Sequence, residues 1–96
     1  MSQITKSDLY AVLKRINEIT NQQEKAYTND TYNVGTYVLD WAYGGVRLGR
    51  ITNEHGGQIA VTRRGTKREV YYYMQAFISG YIAARHPSRN LYLVMV

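Results

Sequence analysis

The chain has 96 residues, 45% of them hydrophobic and 20% charged, with no cysteine and a net charge of +5. That length suits one small α+β domain over residues 1–96 with a thin core, and the composition excludes wholesale disorder. The lack of cysteine excludes disulfides, thiolate catalysis and cysteine-bearing zinc sites. No apolar run approaches the roughly 20 residues of a membrane span, and Met1–Thr5 carries no apolar signal core. A cytoplasmic protein is therefore expected.

Thr5 is placed to cap a helix, with Asp8 completing a capping box. Leu9, Val12, Leu13, Ile16 and Ile19 then recur at helical spacing, which predicts a helix from about Lys6 to Asn21. Residues 21–36 are polar and read as a loop. Tyr37, Leu39, Trp41 and Tyr43 alternate with polar or small residues, so 37–43 reads as a strand with those four on one face. Gly44-Gly45 reads as the central pair of a tight hairpin turn. Val46 to Thr52 returns, with a slip in its alternation that points to a bulge at Gly49. Asn53 to Gly57 makes a second turn, and Gln58 to Arg63 a third strand.

Thr66 and Glu69 form a second capping box. Val70, Tyr73, Met74, Phe77, Tyr81 and Ile82 follow at helical spacing, which predicts a helix from about Lys67 to Arg85, ended by Pro87. Leu91 to Val96 is wholly apolar. It reads either as a fourth strand of the same sheet or as an edge that pairs two copies into a homodimer. The expected architecture is α-β-β-β-α(-β), a three-stranded antiparallel meander packed on two helices.

The positive charge is unevenly placed. Residues 1–45 hold four basic and five acidic side chains, whereas 46–68 hold Arg47, Arg50, Arg63, Arg64, Lys67 and Arg68 against Glu54 alone. Such a cluster points to an anionic partner, with a solvated basic face as the plain alternative. Pairing around the Asn53–Gly57 turn sets Arg47 near Arg63, and like charges facing each other in a sheet favour an anion between them. Basic residues in the first turn of the second helix oppose its dipole and point the same way. Asp40, on the other face from Trp41, is expected to pair with an arginine. Trp41 itself reads as a core anchor. Tyr73 and Tyr81 fall on the core stripe, while Tyr71, Tyr72 and Tyr43 are open to either environment.

His55 and His86 have no metal spacing, no glycine pattern matches a phosphate-binding fingerprint, and no serine sits beside a histidine and a carboxylate. Neither a cofactor nor an enzymatic activity is expected. Nucleic-acid binding through phosphates is the leading expectation, with contacts from Arg47, Arg50, Arg63, Arg64, Lys67 and Arg68 and with Tyr71 stacking on a base. The alternative is a protein-binding inhibitor that uses arginine and tyrosine hot spots.

The segments Trp41–Leu48, Asn53–Gly57 and Lys67–Tyr71, with Thr5–Tyr10, resemble a group of small accessory proteins of tailed bacteriophages, over about residues 5–82. The resemblance implies expression in a bacterial host cell during infection, where such accessory proteins bind host nucleic acid or inhibit a host protein, for example in a restriction or CRISPR complex. It carries over no functional residue. The α-β-β-β-α order is also similar to that of double-stranded RNA-binding domains, whose lysine-rich stretch would fall at Thr66-Lys67-Arg68. The tyrosines of the last helix depart from the alanines of that family, so the similarity is one of topology.

Overall fold

The computed structural model describes residues 3–85. In order these form α1 (Lys6–Ile19), a short hairpin of β1 (Tyr27–Thr28) and β2 (Thr31–Tyr32), the strands β3 (Tyr37–Ala42), β4 (Gly45–Ile51) and β5 (Gln58–Ala60), and α2 (Lys67–Ala84). The strands β3, β4 and β5 make an antiparallel meander in that order. The fold is mixed α+β, and both helices pack on one face of the meander, α1 toward β3 and α2 toward β4. The expected strand and dimer edge at Leu91–Val96, with Pro87, lies outside the described residues.

Both helix starts carry the capping boxes that the sequence implies. Asp8 N–H donates to Thr5 Oγ1, and Thr5 N–H donates to the Asp8 carboxylate; Thr66 and Glu69 repeat the pattern on α2. The end of α1 comes two residues earlier than the periodicity predicts. Asn21 adopts a left-handed backbone at φ 60, its N–H bonds Glu18 O, and Gln22 N–H bonds Asn17 O. This pair of bonds satisfies the last carbonyls of the helix, with asparagine in the place glycine usually takes.

The polar loop after α1 contains structure that its composition hides. Asn29 and Asp30, both at positive φ, close a two-residue turn between Thr28 and Thr31. Both central residues of such a turn are left-handed, and asparagine and aspartate tolerate that conformation best after glycine. Tyr27 and Tyr32 meet edge to face across the hairpin at 4.8 Å. Tyr32 N–H donates to Glu54 O, tying the hairpin to the β4–β5 turn.

The first turn of the meander is centred one residue earlier than expected. Ala42 pairs with Gly45, so the loop residues are Tyr43 and Gly44, and Tyr43 points fully into solvent rather than continuing the strand face. Gly45 is needed for a second reason. A Cβ there would overlap the carbonyl oxygen of Gly65, which lies directly across from the strand. Pairing of β3 with β4 runs unbroken through Gly49, so no bulge sits there. The irregularity lies on the opposite strand. Val61 and Thr62 both donate to Leu48 O, and the register moves from Gly49 opposite Ala60 to Val46 opposite Gly65. Regular pairing in β5 therefore ends at Ala60, short of the predicted Arg63.

The core joins Leu9, Val12 and Ile16 of α1 to Tyr37, Val46 and Leu48 of the sheet and Val70, Met74 and Ile78 of α2. The buried stripe of α2 is thus Val70-Met74-Ile78, rotated from the predicted one. Tyr73, expected in the core, is 44% exposed. Trp41 packs against the core and donates from Nε1 to Tyr10 Oη at 3.0 Å, with Lys6 Nζ 4.9 Å above its ring. Among the described residues two polar side chains are buried, Asn17 and Thr36. Asn17, 1% exposed, bonds the backbone of Tyr37 in both directions.

Candidate functional site

The six basic residues of segment 46–68 separate into two groups. Arg47 Nε lies 2.9 Å from Asp40 Oδ2, and Arg64 Nη2 lies 2.8 Å from the same oxygen. Arg64 Nη1 also donates to the carbonyls of Asp40 and Gly45. Asp40 is paired with an arginine, as its place on the strand implies, and in fact with two. The displaced register at Val61-Thr62 brings Arg64 there in place of Arg63. The anion between facing arginines thus belongs to the chain itself. Hydrogen bonding from Arg64, with the charge of Arg47 alongside, holds the Asp40 carboxyl below the usual carboxylate range against a smaller opposing effect of burial.

Arg50 is also held internally. Its Nε donates to Gly35 O at 3.0 Å, and its guanidinium lies 5.0 Å over the ring of Tyr37. Arg47, Arg50 and Arg64 therefore brace the meander. Tyr71, the expected stacking residue, is half-buried against the core and meets Tyr72 edge to face at 5.4 Å. The exposed tyrosines of this region are Tyr72 and Tyr73.

Arg63, Lys67 and Arg68 remain exposed around the first turn of α2. The anion expected at this helix start is Glu69. Its carboxylate accepts the Thr66 N–H, and the hydrogen bonds with Thr66 lower its pKa, with a small contribution from the charge of Arg63.

Beside Arg63 lies an apolar cleft of about 360 Å³ lined by Val61, Thr62, Arg63, Tyr73 and Phe77. A smaller polar cleft of about 240 Å³ shares Arg63 and Tyr73 with it and adds Arg64, Gly65 and Glu69. The apolar cleft exists because α2 covers β4 and leaves β5 bare. Ile59 pairs with Arg50 and so shares its face of the sheet, yet it is 59% exposed, and Val61 is 38% exposed. Above them Tyr73, Ala76, Phe77 and Gly80 follow at helical spacing on α2, and all but the half-buried Phe77 are exposed. The helix thus has a second apolar side, next to the one it buries.

Periodicity held a signal for this cleft. Tyr73 and Phe77 do share a stripe, but Tyr73 faces solvent while Phe77 is half-buried against the core, and the apolar pattern of α2 is too wide for one buried face. Among the described residues no group of three or more histidine, aspartate or glutamate side chains could hold a metal ion. No described helix is long and apolar enough to cross a membrane. No family model, curated protein or solved structure matches the chain.

Proposed function

We propose that this protein is a binding module that recognises another protein through the cleft between Val61 and Phe77. One observation carries the reading. Val61 and Tyr73 are exposed and line one cleft with the half-buried Phe77, Ile59 is exposed two residues before Val61 in the chain, and Arg63 stands at the cleft margin of this very small domain. Contiguous exposed apolar surface is costly in a monomer and marks interaction sites. Tyrosine and arginine around an apolar centre are the composition of protein-binding hot spots. The resemblance to phage accessory proteins adds a class of partner, a host or defence protein complex.

A photo-reactive phenylalanine analogue tests this. Placed at Ile59 in the full chain and expressed in bacterial cells, it is expected to give a discrete cross-linked protein. The same analogue at Tyr43, fully exposed at the other end of the sheet, is expected to give none. The Ile59 product should fade when unlabelled protein is co-expressed and persist when the competitor carries Val61→Asp. Equal cross-linking from both positions, or equal competition by both proteins, overturns the reading.

Arg63, Lys67 and Arg68, exposed within six residues of one another, favour nucleic acid as a second reading. Phosphate contacts would make log K fall by about 0.7–0.9 per contact as log salt rises. A gel shift with single- and double-stranded DNA and RNA at two salt concentrations decides it, since binding that Lys67→Glu leaves unchanged removes this reading.

A further inference from the structure

The partner can be described more closely, on the footing that the Val61–Phe77 cleft is the binding site. Gly57 O accepts from Thr52 N–H and Val61 N–H donates to Leu48 O, so Gly57 and Val61 turn their backbone groups toward β4. Inward and outward residues alternate along an antiparallel strand. Gln58 and Ala60 therefore point their N–H and C=O groups away from the sheet, and no described strand pairs with that edge. The edge is short and ends at the bulge, but Gln58, Ile59 and Ala60 include no proline, no lysine and no inward charge, so its side chains do not keep another strand from pairing.

The cleft lies on the helix-side face of this edge. A strand added beside β5 would lie about 4.8 Å from it and send every second side chain, about 7 Å apart, toward that face. Val61, Tyr73 and Phe77 offer an apolar lining there. The charge is one-sided, because Arg63 is a basic residue that lines the cleft and no carboxylate lines it. Segment 46–68 as a whole holds six basic residues and one acidic.

We infer that β5 accepts an extended segment of a partner protein as an added strand, with apolar side chains at alternate positions filling the cleft and an acidic residue beside them facing Arg63. Main-chain hydrogen bonds at Gln58 and Ala60 would give affinity, and the cleft with Arg63 would select the sequence, as in other cases of strand addition.

The test uses the full chain and a library of random linear peptides. Selected peptides are expected to share apolar residues at alternate positions with an adjacent aspartate or glutamate. Binding should slow amide exchange at Gln58 and Ala60, while Ile59, already turned toward β4, changes little. Val61→Asp should weaken binding at least tenfold, and Arg63→Glu should turn the preference from acidic to basic peptides.

Peptides with helical spacing that still depend on Val61 would overturn strand addition and leave the cleft as the binding site. Peptides indifferent to both Val61 and Tyr73 would overturn both readings. Oligonucleotides that protect the same two amides would also overturn the proposal. So would protection already present in the free protein, whether lost on deleting residues 91–96 or lost on dilution; the first assigns the edge to the chain's own end and the second to another copy.

Discussion

Asn17 and Tyr37, twenty positions apart, act as one unit: Tyr37 N–H donates to Asn17 Oδ1 at 2.8 Å, and Asn17 Nδ2 donates to Tyr37 O at 3.0 Å. A helix side chain thus serves as a strand partner at the point where β3 begins. Both groups are buried, so neither backbone atom of Tyr37 can turn to water. The same tyrosine carries Arg50 on one side of its ring and Phe77 edge to face at 5.3 Å. One amide therefore fixes the position of a residue that joins α1, the meander and α2.

Removing the amide should be costly. Asn17→Ala leaves two buried backbone groups unpaired, at about 1–3 kcal/mol each. Asn17→Asp should be worse at neutral pH than in mild acid, because an ionised carboxylate can accept from Tyr37 N–H but repels Tyr37 O. Urea unfolding would show a lower midpoint with an unchanged slope. A variant within about 0.5 kcal/mol of the parent would show that the pair is dispensable.

Asp40 makes stability pH-dependent in a stated direction. Its folded pKa is depressed, so its contribution is present at neutral pH. It drains away as pH falls from the ordinary carboxylate range, near 4, through the lower folded value. Asp40→Asn lacks this contribution at every pH. Melting temperatures of the two proteins should differ most near neutrality and converge in acid. A gap that stays constant across the titration would rule out the double pairing with Arg47 and Arg64.

Neighbouring arginines should behave oppositely. Arg64→Ala breaks the Asp40 bond and two carbonyl bonds, and hydrogen bonds to charged groups contribute about 1.5–3 kcal/mol when well made. With Arg64 part-buried, a loss of about 1–2 kcal/mol is expected. Arg63→Ala removes an exposed side chain and should change stability by less than about 0.5 kcal/mol while weakening binding at the cleft. Thermal melts of the two variants, measured side by side, check both halves.

Elements with a regular period could be read from the sequence. Leu9, Val12 and Ile16 mark the buried side of α1, the two threonine caps mark helix starts, and the alternation from Tyr37 to Trp41 marks a strand. Features set by a local slip in register could not. The bulge at Val61-Thr62 has no period of its own, yet it decides that Arg64 rather than Arg63 meets Asp40. That one shift divides the basic cluster into bracing and exposed residues. The Asn29-Asp30 turn was legible in principle, but it closes strands of two residues each, too short for alternation to show. The cleft was hidden differently. Tyr73 has helical spacing, and spacing cannot say whether a second apolar side is covered.

Glu69 offers a prediction that separates its structural role from its effect on the cleft. Its carboxylate caps α2 through Thr66 and also acts on the charge of Arg63. Glu69→Gln keeps the capping geometry, since glutamine serves the same position in a capping box, and removes the negative charge. Stability should change little at neutral pH. An acidic peptide bound against Arg63 then loses a repelling neighbour and a competitor for the guanidinium. Interactions between exposed charges are weak, so affinity should rise only modestly, by about 1.5- to 5-fold. The gain should shrink as salt screens the pair. Isothermal titration of parent and variant with one selected peptide, at low and high salt, measures it. Unchanged affinity at low salt would mean that the peptide carboxylate does not lie near Arg63.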